Sequence, residues 1–478
     1  MVKKWIREHD IECVLLLLLF AKMLSYAAEK GFWYDEIVML GFISRPKLSD
    51  LFQIYSGMEV SNLPLYALFM WVIYHITPPY TVFLVMPGIL MTLCAVWMLS
   101  CLAKKRMGRA ASVTVLLLGL VSVTVVIRIS LELRAYCLMF FGVCFVMYVY
   151  LTESKRKVRS FILRLIASIC LIFSHFYGVL FFAAWGAATL VKCLRKEWHV
   201  KRLIPQIIAG LLFLPWFLHI VKRAVGKAGD FWIKKPTLIQ IPDVMGYLMG
   251  STLPLLIAYA LMCVFVFFHI LKEKKLLSSE SFCLFTPYAV LLLMFVYSRY
   301  FAGGGGLFLN KYFIVVLPCM LYTFAAGVQL SCAFLWKKNH LTALLWMLLL
   351  IPAFFISYRQ FSCEDRHITY TRYSGWGKIL REAGDLSDER TMLFLTYHDG
   401  FEGMSILGAY DFYLKRRGTE AANLECFDVH RIEEKMEALD NIDKVYVFSD
   451  DDMLEDVGDD YVCTWQDGYY CLTVYEKR

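Results

Sequence analysis

The sequence predicts a mainly α-helical, polytopic membrane protein with about 11 transmembrane helices, followed by a small extracytoplasmic α/β domain. Three observations carry this reading. Hydrophobic residues make up 59% of the 478 positions against 19% charged, more apolar than a water-soluble chain of this length sustains. Apolar runs of near bilayer length recur along residues 1–359. Charge divides the chain: residues 1–359 hold 36 Lys/Arg against 15 Asp/Glu, and residues 360–478 hold 13 against 26. The basic part places its charge in short clusters between apolar runs, where it sets topology and meets lipid headgroups, so nucleic acid is not an expected partner.

The expected spans lie near 11–28, 81–103, 110–127, 135–151, 160–174, 178–193, 203–221, 251–271, 283–300, 310–335 and 341–358. The first is read as an uncleaved signal anchor, although Ser25-Tyr26-Ala27 offers a small-residue cleavage pattern. Segment 63–79 is apolar but short, aromatic and closed by Pro78-Pro79. Treating it as an interfacial helix rather than a crossing puts 21 basic residues on the cytoplasmic side against 13 outside, as the positive-inside rule requires. The N-terminus is then cytoplasmic, 29–80 forms a first external loop, and 360–478 lies outside, with a bacterial plasma membrane the favoured setting. In that tail, strands are expected at Thr391–Tyr397 and Lys444–Ser449, helices near Tyr373–Ala383 and Ile432–Leu439, and a hairpin over Tyr461–Tyr475. A disulfide across the hairpin between Cys463 and Cys471 is compatible with an oxidising compartment. Asp450-Asp451-Asp452 lacks a calcium-loop pattern and reads as a solvated face.

With this topology, two acidic features fall at the outer membrane surface. Asp35 and Glu36 follow the first span within Phe32-Trp33-Tyr34-Asp35-Glu36. Carboxylates at membrane level are costly unless hydrated or paired, which points to function; opening a short helix accounts for them equally. Arg128-Ile-Ser130-Leu-Glu132-Leu-Arg134-Ala-Tyr136 links the third and fourth spans. It reads either as a site or as two arginines snorkelling to headgroups with Glu132 paired to one of them. The same face carries further cations, among them Lys311 and the Lys222–Lys235 loop, and an anionic ligand there would explain this load. His175-Phe-Tyr177-Gly178 reads as a tight inter-helix turn or a substrate contact. The run Gly303-Gly304-Gly305-Gly306 lacks the setting of a nucleotide loop and reads as a connection.

Taken in order, these residues resemble the GT-C fold glycosyltransferases that use polyprenyl-phosphate sugars, the class of protein O-mannosyltransferases and aminoarabinose transferases. The resemblance rests on Asp35-Glu36 after the first span and on Asn62-Leu63-Pro64-Leu65-Tyr66, where the family often has Pro-Pro-Leu-Tyr. It rests also on Ser130-Leu-Glu132-Leu-Arg134-Ala-Tyr136 against a pattern S-x-E-x-R-x-Y, and on Asn310-Lys311-Tyr312 with Pro318. It covers roughly residues 10–360; Leu63 and Lys311 depart from the commoner Pro and Arg.

What the resemblance implies is transfer of a sugar, with inversion, from a polyprenyl-phosphate donor to a glycan, lipid or protein acceptor at the outer face. Asp35 would be the base, Glu36 would shape the pocket, and Glu132 would stabilise positive charge at C1. Arg134, Lys311 and Arg128 would bind the donor phosphate. Tyr136, His175, Tyr177, Glu59 and Asn62 are further candidates for substrate contact. A divalent cation, Mg or Mn, stays open, with Asp35 and Glu132 as oxygen ligands. The alternatives are a flippase or transporter of lipid-linked glycans, or a non-catalytic binder of lipid-linked sugar. A transporter is expected to carry charge at mid-span and inverted repeats, neither of which the sequence contains.

Overall fold

The computed structural model describes residues 9–32, 34–58, 64–152, 156–226, 235–250, 253–276, 278–301, 307–338, 350–357, 359, 386–397, 400–448, 461–466 and 472–477. Glu59, Asn62, the Gly303–Gly306 run, residues 373–383, Asp450–Asp452 and Cys471 lie outside them, as does most of the span expected at 341–358.

Apolar runs become helices because a bilayer supplies no hydrogen-bond partners, so each backbone must satisfy itself. α1 (Asp10–Glu29) is followed by three shorter helices: α2 (Tyr34–Ile43), α3 (Leu48–Met58) and α4 (Pro64–Ile76). The thirteen residues of α4 fall short of the ~20 a crossing needs. α5 (Thr81–Arg106) ends in Lys104, Lys105 and Arg106, whose charges complement the helix dipole. The bundle continues with α6 (Arg109–Val121), a π-helical turn at Thr124–Ile129, α7 (Tyr136–Leu151), α8 (Lys157–Ile172), α9 (Phe176–Leu194) and α10 (Ile204–Gly226). It closes with α11 (Gln240–Met249), α12 (Leu253–Lys272), α13 (Ser279–Val296), a 3₁₀ segment at Asn310–Val316 and α14 (Leu317–Lys338).

Among the described residues, six helices are long and apolar enough to cross a membrane. α7 is apolar all round and almost wholly buried, which places it at the centre of the bundle. α10, α12 and α13 instead expose Leu211, Leu212, Phe268 and Leu292, an outward apolar surface that needs lipid rather than water beside it. At one end, buried Glu12 of α1 accepts a 2.8 Å bond from Lys104 of α5, and Asp10 pairs with Arg109 of α6.

The C-terminal part holds a five-stranded sheet ordered β2-β1-β3-β5-β4, formed by β1 (Thr391–Tyr397), β2 (Asn423–Asp428), β3 (Lys444–Phe448), β4 (Tyr461–Gln466) and β5 (Leu472–Lys477). β2, β1 and β3 are parallel, and β4 and β5 form the antiparallel hairpin. α15 (Gly400–Tyr413) connects β1 to β2, and α16 (Ile432–Glu437) lies between β2 and β3. Strand alternation sorts the faces: Phe394 and Val447 pack with Ile432 and Met436, whereas Leu393, Leu395 and Phe448 share a core with the membrane helices through α15.

α15 lies directly on α2. A Cβ at Gly408 would come within 2.6 Å of the Gly41 Cα, so only glycine lets the two backbones approach this closely. The Phe32 N–H donates to the Tyr413 hydroxyl at 3.1 Å, and the Tyr74 hydroxyl donates to the Asp411 carboxylate. Just beyond, Arg416 covers the Tyr74 ring at 4.3 Å and donates to the Thr77 carbonyl, while Arg417 donates to the Pro79 carbonyl. α15 and the turn that follows it thereby hold α2, which carries Asp35 and Glu36, together with α4.

Candidate active site

Four stretches of chain converge at one end of the bundle: the start of α2, the link between the π-helical turn and α7, the N-terminus of α9, and the 3₁₀ segment before α14. Asp35 and Glu36 sit in the first turn of α2, where negative charge meets the positive end of the helix dipole. The link approaches α5 so closely that a Cβ at Gly88 would lie 2.5 Å from the Ser130 carbonyl oxygen. Gly88→Ala should therefore cost about 1–3 kcal/mol as backbone is pushed aside. The check is thermal melting of the purified protein in detergent; an unchanged midpoint would show that the link yields freely.

Asp35 is the hub. Its Oδ2 accepts a 2.6 Å bond from Lys311 Nζ and lies 3.8 Å from an Arg134 terminal nitrogen. Arg134 also donates to the Asp35 backbone carbonyl at 3.3 Å. Burial alone would raise the Asp35 pKa, but the charges of Arg134 and Lys311 outweigh it and hold the carboxyl below its ordinary value. Asp35 is therefore ionised across the physiological range.

Glu36 is disposed differently. It is wholly buried, with Oε2 accepting from Lys30 Nζ at 2.7 Å and Oε1 accepting from the Leu133 backbone N–H at 2.6 Å. These two bonds tie the first loop to the link that carries Glu132 and Arg134.

Glu132 Oε2 is buried and has no hydrogen-bond partner among the described residues. Burial, together with the nearby Glu36 charge, pushes the Glu132 carboxyl up to about 7. His175 caps α9, its Nδ1 accepting from the Tyr177 N–H at 3.2 Å. That bond assigns the proton to Nε2, which is buried without a hydrogen-bond partner among the described residues. Burial, with the Arg134 and Lys311 charges, lowers the His175 pKa to about 3, so the ring is a neutral donor and no proton shuttle. The buried Tyr136 hydroxyl also has no partner among the described residues. Three buried polar atoms left unmatched beside an ionised cluster mark a place built for a polar ligand or water.

The surrounding aromatic wall is continuous. The His175 ring lies 4.9 Å from that of Tyr312 and 5.9 Å from that of Tyr136, and the Tyr177 hydroxyl donates to the Leu307 carbonyl at 2.6 Å. Arg128 turns the other way. Its guanidinium stacks 4.0 Å over the Tyr247 ring and donates to the Tyr247 carbonyl, bracing α11. Neither Lys30 nor Tyr247 stands out in the sequence: Lys30 closes an apolar helix and Tyr247 is one aromatic among many. A cation six positions before a buried acid was the one available clue to the Lys30–Glu36 pair.

Among the described residues no group of three or more His, Cys, Asp and Glu side chains could hold a metal. Both cations that face the Asp35 side chain, Lys311 and Arg134, approach its Oδ2.

No protein-family model matches the chain, and no curated protein does. Solved structures do. The chain is similar to ArnT from Cupriavidus metallidurans in the apo state, at 10% identity and a TM-score of 0.59, over 99% of this chain and 98% of that one. Against ArnT from the same organism bound to undecaprenyl phosphate the identity is 11% and the TM-score 0.53, with the same coverage. An Archaeoglobus fulgidus oligosaccharyltransferase in complex with zinc and sulfate matches at 10% identity and a TM-score of 0.50, over 91% of this chain and 68% of that one. The likeness is one of fold: the chain has the GT-C fold, with a small C-terminal sheet.

Proposed function

We propose that this protein is a membrane glycosyltransferase that moves a sugar from a polyprenyl-phosphate donor to an acceptor hydroxyl or amine, at the membrane face where Asp35 lies. One observation carries the reading: an ionised aspartate held between Lys311 and Arg134, beside the unmatched polar atoms of Glu132, His175 and Tyr136. The similarity in fold to a structure bound to undecaprenyl phosphate supports the choice of donor class.

The chemistry follows from charge. Arg134 and Lys311 would receive the donor phosphate, the guanidinium binding two of its oxygens. Drawing these cations toward phosphate would weaken their hold on Asp35, raising its basicity as the donor arrives. Asp35 would then take the acceptor proton as the acceptor oxygen or nitrogen bonds to C1. The C1–O bond to phosphate breaks on the opposite side, the phosphate keeps the electron pair, and the anomeric configuration inverts. His175 Nε2–H and the Tyr136 hydroxyl, both buried without a partner among the described residues, would bond sugar or phosphate oxygens. Glu36 we assign to holding the loop against the link, and Arg128 to bracing α11. No step in this scheme passes through a metal.

Glu132 supplies a test by pH. A carboxylate there favours positive charge developing at C1, and its protonated form does not, so transfer should rise as pH passes through about 7. Glu132→Gln should flatten that rise. Stability should move in the opposite sense: a folded pKa above the unfolded value contributes stability below about pH 4 that is lost as pH rises through about 7. Melting in detergent between pH 5 and 8 would therefore decline less steeply in the variant. The function itself is tested by incubating purified protein with synthetic polyprenyl-phosphate sugars and membrane extract and following release of free polyprenyl phosphate. If the lipid binds but no donor in the panel is consumed, the proposal fails in favour of a lipid-binding or transport role.

A further inference from the structure

A cavity lies at the end of the bundle opposite Asp35. α9 begins at the His175 cap and runs for 19 residues, which puts its far end roughly 28 Å away at 1.5 Å per residue. There, a hollow of about 930 Å³ opens between the ends of α5, α9, α12 and α13. Arg106, Lys192, Arg195, Lys274 and Lys275 line it, against two carboxylates, Glu197 and Glu280. Glu197 pairs with Lys192 at 3.1 Å and Arg195 at 2.9 Å, and Glu273 lies 3.7 Å from Lys275; five cations against Glu197, Glu273 and Glu280 still leave positive charge in excess. A topology signal needs basic residues near helix ends. It does not need residues from three separate loops to share one bowl.

A narrower, mostly apolar hollow of about 270 Å³ adjoins it, between α9 and α13. Leu151, Trp185, Ala188, Phe282 and Phe285 line it, and Lys192, Trp198 and Ser279 line both spaces. The buried Trp185 Nε1–H has no hydrogen-bond partner among the described residues. Phe285 and Ala289 on its rim are exposed on the outer surface of the bundle, the surface read as facing lipid. A cationic bowl joined to an apolar slot open to lipid is complementary to a molecule with an anionic head and a hydrocarbon tail.

We propose that this end of the protein binds an anionic phospholipid of the leaflet remote from Asp35, with its phosphate in the basic bowl and one acyl chain in the adjoining slot. The site is separate from the donor site and does not depend on the function proposed above. Basic pockets of this kind between helix ends are suited to multiply charged lipid headgroups.

Native mass spectrometry of the full-length chain, delipidated and titrated with dioleoyl phosphatidylglycerol, dioleoyl phosphatidylcholine or undecaprenyl phosphate, tests this. Wild type should bind phosphatidylglycerol about tenfold tighter than phosphatidylcholine. The exposed pair Lys274→Glu/Lys275→Glu should erase that preference and leave undecaprenyl phosphate binding unchanged. Ala188→Phe, which fills the slot, should weaken both phospholipids. Size-exclusion profiles and melting midpoints matching wild type identify variants that remain folded. Phosphatidylglycerol binding untouched by the charge reversal, or both phospholipids retained by Ala188→Phe, would overturn the proposal. Loss of undecaprenyl phosphate alone on charge reversal would overturn it too, assigning the bowl to polyprenyl lipid.

Discussion

Asp35→Asn should reduce sugar transfer by about 10²–10⁴-fold while polyprenyl phosphate binds as tightly as to wild type or more so. The two effects part because the same oxygen has two partners. Asparagine keeps the size and the hydrogen-bonding reach of aspartate but cannot take the acceptor proton. It also carries no charge to compete with the lipid phosphate for Lys311, 2.6 Å away in the resting site, and Arg134 at 3.8 Å. Labelled-sugar transfer and product-lipid titration in detergent, run on the same preparation, separate chemistry from binding. Transfer within tenfold of wild type would remove Asp35 from the role of base. Weaker lipid binding at equal transfer would make it a phosphate-site residue instead.

Arg134→Ala should lower affinity for polyprenyl phosphate by roughly 30–150-fold, the equivalent of about 2–3 kcal/mol for a charge-assisted contact to phosphate. Arg134 is almost fully buried and faces Asp35, so its removal also leaves that carboxylate with Lys311 as its remaining close ion-pair partner among the described residues. Some loss of melting temperature is expected with the loss of affinity. Arg134→Lys should restore the melting temperature more than the affinity, because an ammonium can neutralise Asp35 but cannot bind two phosphate oxygens from one plane. Isothermal titration with undecaprenyl phosphate reads the affinities. Equal affinity in wild type and Arg134→Ala would place the phosphate elsewhere, with Lys311 or residues outside the described region.

Most of the helical framework was legible because lipid imposes one rule on every crossing. The run predicted at 81–103 is a helix at Thr81–Arg106, that at 203–221 a helix at Ile204–Gly226, and that at 135–151 a helix at Tyr136–Leu151. Strands at Thr391–Tyr397 and Lys444–Phe448 and the terminal hairpin were visible for a similar reason, since period-two alternation records a two-faced sheet. What escaped depended on partners distant in sequence. α15 contains three glycines, which weaken any helical signal, and it is stabilised by packing against α2 more than 360 residues away. β2 is six residues long with little alternation, and its strand character comes from lying beside β1. At the site, Asp35, Glu132, Arg134 and Lys311 could be picked out by type and order. That Glu36 is consumed by Lys30 and Leu133, and Arg128 by Tyr247, is a property of three-dimensional proximity that no spacing announces.

The bond from Phe32 to Tyr413 joins residues 381 positions apart. In a chain made from its N-terminus forward and threaded into a bilayer helix by helix, the partner of the first loop is synthesised after nearly all of the membrane part. α2 would therefore wait, half-covered, until the C-terminal sheet has folded and brought α15 down upon it. Biogenesis thus has a built-in late step: α2 and the segment before it are completed only when a part of the chain that follows the membrane helices arrives. A chain stalled or clipped before Gly408 would lack the surface that packs on α2 and the segment leading into it.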